Sequence, residues 1–255
     1  MRLKIAAGKT AIAALLLLTI LAGPIKAQQD RYEETVGVSP KAREFFTKAQ
    51  RLEQAGHGEE AFKAYREAIR LEPNYTEAYT QMGLAYANLN DFAEAVNAFR
   101  EVVRLQPQSG PALGNLGAAY MKMGHFREAQ AAFKDAVRLR PDDAEAHYNL
   151  GLALGKLGQD REAIPEFTRA IKLQPDMARG HRSLGLAYFN LHRLNEARKS
   201  LQESVALDPK DAAAHYALCV LYDQAGDAQA ANREFKILQG LDKDLAQKLA
   251  EPVRK

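Results

Sequence analysis

The chain has 255 residues, 47% hydrophobic and 26% charged, a balance that excludes a disordered polyelectrolyte. Of its 35 basic residues, Arg2, Lys4, Lys9 and Lys26 sit in an N-terminal segment that reads as an export signal; without them 31 bases face 32 acids, and nothing argues for nucleic-acid binding. One cysteine, Cys219, excludes an internal disulfide, so packing must supply the stability.

In chain order, Arg2, Lys4 and Lys9 precede an apolar run from Ala11 to Ala22, which Gly23 and Pro24 end, and Ala27 offers a small residue before Gln28. This is the layout of a secretory signal peptide, and the run is short for a membrane span. Residues 1–27 are therefore expected to be cut off after Ala27, leaving an exported protein, periplasmic or secreted. The competing reading keeps residues 11–22 as an uncleaved anchor in the inner membrane. Residues 28–41 read as a linker, closing on Ser39-Pro40, an N-cap and first helical residue.

From there a unit repeats. Prolines stand at Pro73, Pro107, Pro141, Pro175 and Pro209, each 34 residues after the last, a period that marks a stacked array in which each unit touches its neighbours. The frames are 42–75, 76–109, 110–143, 144–177, 178–211 and 212–245. Within them recur Met82-Gly83, Leu116-Gly117, Leu150-Gly151 and Leu184-Gly185; then Tyr86, Tyr120, Leu154, Tyr188 and Tyr222; then Ala95, Ala129, Ala163, Ala197 and Ala231; then Phe99, Phe133, Phe167, Leu201 and Phe235. The first frame is degenerate, with Lys48-Ala49 in place of Leu-Gly.

This pattern of Leu-Gly, Tyr, Ala, Phe and Pro resembles the tetratricopeptide-repeat family over residues 42 to about 245. The resemblance implies an all-α fold, a right-handed α-solenoid of about six antiparallel helix pairs. Each unit supplies helix A, a turn near Gly124, Gly158 or Gly226, and helix B, whose Ala95, Phe99, Val102 and Leu105 lie on one stripe. The recurrent prolines stop each B helix. Pro165 falls inside the fourth B helix, near its first turn, and is expected to be tolerated. Residues 241–255 read as a capping helix and tail, with Leu241, Leu245 and Leu249 spaced four apart to cover the last repeat.

No catalytic constellation stands out, and the chain reads as a protein without enzymatic activity, cofactor or metal. His147, His181 and His215 are 34 residues apart, one per repeat; ligands that far apart cannot meet on one ion, so they read as packing residues. Pro141-Asp142-Asp143 reads as a turn and helix start. Gly151, Gly155 and Gly158 follow no strand and make no phosphate loop. Cys219, at the position of Gly83, Gly117, Gly151 and Gly185, reads as a small packed residue.

What remains is a surface. In the family the A helices line a concave groove, and the resemblance places Asn88, Asn115, Lys122, Tyr148, Asn149, Lys156, Arg179, Arg182, Asn190 and Tyr216 in it, together with Thr80, Ala118 and Val220 and a leucine floor of Leu84, Leu152 and Leu186. Exposed tyrosines, amides and cations suit a protein or peptide segment. The family's chaperone-tail clamp is absent, since Tyr148 and Leu152, or Arg182 and Leu186, stand at its positions. The family's asparagine ladder is partial, with Asn115 and Asn149 alone. The expected role is a scaffold that holds a partner segment in envelope assembly or secretion; the alternatives are a self-assembling array and an accessory subunit of an enzyme complex.

Overall fold

A computed structural model describes residues 38–250; residues 1–37, with the expected signal segment and most of the expected linker, and residues 251–255 lie outside the described residues. Every regular element among the described residues is an α-helix. The A helices are α1 (Pro40–Gln54), α3 (Thr76–Asn88), α5 (Gly110–Met123), α7 (Ala144–Lys156), α9 (Ala178–Asn190) and α11 (Ala212–Gln224). The B helices are α2 (Gly58–Leu71), α4 (Phe92–Leu105), α6 (Phe126–Leu139), α8 (Asp160–Leu173), α10 (Leu194–Leu207) and α12 (Ala228–Leu241), and α13 (Lys243–Ala250) follows. Two compact units divide the chain, residues 1–82 and 83–255, with the division inside α3.

Short polar side chains begin several of the helices by accepting N–H groups that have no partner within the helix, while α2, α6, α8, α9 and α10 have no such side-chain cap. Ser39 accepts from the Ala42 N–H at 3.2 Å, ahead of Pro40. Asp143 accepts from Glu145 and Ala146, and Asp211 from Ala213 and Ala214. Each A helix ends at a residue with positive φ: Gly56, Asn90, Gly124, Gly158, His192 and Gly226. Four of these six are glycine because a Cβ clashes in the left-handed region. Pro165 is the sixth residue of α8, half a turn further in than the sequence places it, and the helix runs on to Leu173. Its side chain is exposed, so the Arg161 carbonyl left without an N–H donor lies on the solvent side.

In the first unit Ala42, Ala49, Ala61, Tyr65 and Ala68 form the centre of the core, with Phe45, Phe46, Leu52 and Ile69 packed around them. The Tyr65 hydroxyl donates to Glu53 at 2.8 Å, and burial, with that carboxylate second, raises its pKa well above the usual phenol range.

In the second unit the core repeats one contact. A Cβ placed on Gly83, Gly117, Gly151 or Gly185 would lie 2.7, 2.6, 2.6 or 2.7 Å from Phe99, Phe133, Phe167 or Leu201. Each helix B therefore closes on its helix A to a distance that only glycine permits. Those four large side chains are all but fully buried.

The last repeat departs from this. Cys219 takes the glycine position, its thiol buried and facing the Ala231 carbonyl at 3.7 Å. Phe235, the counterpart of Phe167, is half-buried and lines an open cleft of about 390 Å³ with Gln239, Lys243 and Ala246. The leucine stripe of the sequence reading is also divided. Leu241 ends α12 and is exposed, Asp242 caps α13 through the Leu245 N–H at 2.9 Å, and α13 packs against α11 and α12 with Ala246 as its buried residue. Asp242 leaves the helical region, so Leu241 is turned away from Leu245 and Leu249.

Candidate functional site: the A-helix face of the second unit

Residues spaced four, three and four along a helix share one side. On α5 these are Pro111, Asn115, Ala118 and Lys122; on α7, Glu145, Asn149, Leu152 and Lys156; on α9, Arg179, Ser183, Leu186 and Asn190. Helix α5 touches α7, α7 touches α9 and α9 touches α11, so these rows make one surface. Along its middle run Ala118, which is exposed, and Leu186, 40% exposed, with Leu152 and Val220 half-buried; on α3 Leu84 is 38% exposed. This is an apolar strip left uncovered between polar rows.

All ten residues singled out by the sequence lie in this unit, in different circumstances. Asn88, Lys122, Lys156 and Asn190 are exposed at or beside the C-terminal ends of α3, α5, α7 and α9. Asn190 donates to Asp160 at 3.1 Å. Asn115, Asn149 and Tyr216 are half-buried.

Tyr148 is not the exposed tyrosine expected. It is 7% exposed, its ring centroid lies 6.0 Å from that of Phe167, and the Arg179 guanidinium lies 4.8 Å from the ring centroid. Arg179 also pairs with Glu145, so it bridges a carboxylate and a π face. Arg182 pairs with Asp211, whose carboxylate is 8% exposed and caps α11 at the same time. Two of the four cations of this surface are thus spent within the molecule. Lys122 and Lys156 enter no ion pair among the described residues.

The three histidines do more than fill space. His147 has Nδ1 on Glu166 at 2.7 Å and Nε2 on the Pro141 carbonyl at 3.0 Å; His215 repeats this with Glu234 at 2.6 Å and Pro209 at 3.2 Å. His181 keeps the contact to the Pro175 carbonyl at 3.1 Å, and Ser200 stands where the other two repeats have Glu. Each ring ties the start of its helix A to the preceding proline turn, and two of the three also to helix B. Leu113 and Ala132 hold these two places in the third repeat, so an apolar pair has become a polar one. Sequence reasoning missed Glu166 and Glu234, although a His and a Glu entering the same two frame positions together was a visible signal. Among the described residues, no three His, Cys, Asp or Glu side chains form a group able to hold a metal ion.

Burial, with Glu234 second, pushes the Cys219 thiol up to about 11. Among the described residues no helix is long and apolar enough to cross a membrane.

The family model described as the cilia and flagella-associated protein 70 C-terminal domain, a tetratricopeptide-repeat model, matches residues 5–236. The MamA 41-end fragment from Desulfovibrio magneticus RS-1 is 30% identical, with 69% of this chain and 99% of that one covered at a TM-score of 0.64. YrrB, described as a tetratricopeptide-repeat protein with an unusual peptide-binding site, is 23% identical, with 73% and 97% covered at 0.61. PilW, described as a widely conserved type IV pilus biogenesis factor, is 19% identical, with 84% and 100% covered at 0.71. At those identities the likeness to YrrB and PilW shows a shared fold. No curated protein matches the chain in sequence.

Proposed function

Since the chain belongs to the tetratricopeptide-repeat family, in the group matched by the cilia and flagella-associated protein 70 C-terminal domain model, we propose that it is a non-enzymatic scaffold whose A-helix face holds a segment of a partner protein. One observation carries this reading: across the touching helices α5, α7, α9 and α11, the exposed Ala118 and Leu186 and the half-buried Leu152 and Val220 form an apolar strip between rows of amides and cations. Such a strip contributes affinity through buried area, while Asn115 and Asn149 offer amide donors and acceptors to a peptide backbone. The peptide-binding site named for YrrB and the pilus biogenesis role named for PilW support the same use of the fold.

The scaffold acts outside the cytoplasm, in envelope assembly or secretion. This rests on the basic, apolar and small-residue order of residues 1–27, which fall outside the described residues.

The test is crosslinking in the source cells from a photoreactive residue at position 149, read by mass spectrometry of the captured chain and of the scaffold's own N-terminus. One dominant envelope protein, lost when Leu152 and Leu186 are changed to Asp, and a scaffold beginning at Gln28 are the expected results. Self-crosslinks alone, or capture indifferent to those changes, would overturn the reading.

A further inference from the structure

We propose that the segment held on this face is an extended, polyproline-like stretch carrying two acidic side chains three residues apart, received by Lys122 and Lys156. The inference rests on the reading of the A-helix face as a partner-binding surface and specifies the partner's chemistry.

It starts from which cations are free. Arg182 is held by Asp211, and Arg179 by Glu145 and the Tyr148 ring. The exposed Lys122 and Lys156 are unpaired and occupy the same register of successive A helices, α5 and α7. A cation near a helix C-terminus is favoured by the helix dipole. That alone does not account for the pair, because Asn88, Asn190 and Gln224 hold the position in α3, α9 and α11. The two charges are peculiar to the third and fourth repeats. There they border the half-buried Asn115 and Asn149 and the floor of Ala118 and Leu152.

Spacing then selects the ligand conformation. Helices α5 and α7 are in contact, and packed helices lie about 8–10 Å axis to axis. A polyproline helix rises about 3.1 Å per residue with three residues per turn, which puts residues i and i+3 on one side about 9 Å apart. A β-strand places same-side residues about 7 Å apart at i and i+2, and points i and i+3 to opposite faces. The polyproline spacing of about 9 Å falls within that general interaxial range, and the strand spacing of about 7 Å falls short of it. Its backbone groups also have no internal partners, which leaves them open to Asn115 and Asn149.

The experiment pans a random dodecapeptide phage library on the full-length protein and measures the best peptides against variants. Sequences enriched in two acidic residues at i and i+3, with proline nearby, are expected. Lys122→Gln with Lys156→Gln should weaken the best of them about tenfold, the combined effect of two exposed charge contacts. Arg182→Gln should change it less than about twofold, since its partner is internal. Unchanged circular dichroism of the lysine variant establishes that its fold persists. Peptides without an acidic pair that nonetheless lose affinity with Asn115→Ala and Asn149→Ala would sink the acidic-pair inference and leave the face as a binding surface. Acidic pairs at i and i+2 would overturn the polyproline geometry. Failure to select any peptide dependent on either pair of residues would overturn both readings together.

Discussion

The fourth and sixth repeats carry the same frame and pack differently. In the fourth, Gly151 lets Phe167 close on the backbone of α7, and the ring is 3% exposed. In the sixth, the Cβ and sulfur of Cys219 fill that place, and Phe235 is half-buried beside α13. An inner repeat must match a neighbour on both sides, so its A–B spacing is fixed to within a methyl group. Among the described residues the last repeat meets the short α13 beyond it, and its frame tolerates a different solution. The comparison shows that the glycine belongs to the close approach of inner helix pairs and not to the fold of a pair as such.

Removing the two rings should expose the difference most. Phe167→Ala deletes an almost fully buried side chain from between two helices and should cost about 3–5 kcal/mol. Phe235→Ala removes a half-buried one and should cost about 1–2 kcal/mol. Guanidinium denaturation followed by circular dichroism separates them, and equal losses would refute the distinction drawn here.

The next effect concerns Cys219. Its thiol is pushed up to about 11 from an ordinary value near 9.0, so between those pH values the folded chain keeps a proton that the unfolded chain has released. The stabilisation is therefore whole below about pH 9 and falls as pH rises towards 11, by at most about 1.4 kcal/mol per pH unit. Cys219→Ala should flatten that part of the stability profile. Burial also raises Tyr65 and Tyr75, which leaves residual alkaline loss in the variant. At pH 8 native Cys219 should resist a thiol reagent that labels it promptly in denaturant; prompt native labelling would contradict the buried thiol.

Two glycines of one helix bring the contrast down to a single methyl group. Gly151→Ala puts a Cβ 2.6 Å from Phe167, an overpacking of about 1–3 kcal/mol that helix propensity offsets by about 1 kcal/mol at most. Gly155→Ala meets nothing within 4 Å and should stabilise by about 0.5–1 kcal/mol. The two thermal shifts should have opposite signs.

Much of this was legible from the chain because the contacts that make a repeat are local. The prolines, the Gly–Phe pairs and the aspartate caps at Asp143 and Asp211 each lie within one frame or at its edge, and the frame shows itself by recurring. What was not legible crosses between frames or breaks them. Tyr148 occupies a frame position that reads as exposed, yet it is covered by Arg179, which arrives from the next repeat. Arg182 looked free for a ligand, but the Asp211 that holds it begins the following helix A. Long side chains on successive repeats can pair in several ways that a repeat pattern does not distinguish. The division of Leu241 from Leu245 turned on one non-helical residue, Asp242, which the four-residue spacing concealed.

The smallest contrast lies at the A-to-B turn, where the fourth repeat has Gly158 and the fifth His192, both with positive φ. In the left-handed region a side chain costs about 1–2 kcal/mol, so His192 carries a strain that Gly158 does not. Replacing His192 by Gly removes this, but it also frees the unfolded chain by about 0.5–1 kcal/mol, and the net gain should be near 0.5 kcal/mol. Gly158→Ala runs the same ledger in reverse and should lose a similar amount. Nothing lies within 4 Å of a Cβ at Gly158, so backbone conformation alone decides its sign. If His192→Gly instead destabilises, the imidazole makes a contact worth more than the strain, and the fifth turn is held by its side chain where the fourth is held by its backbone.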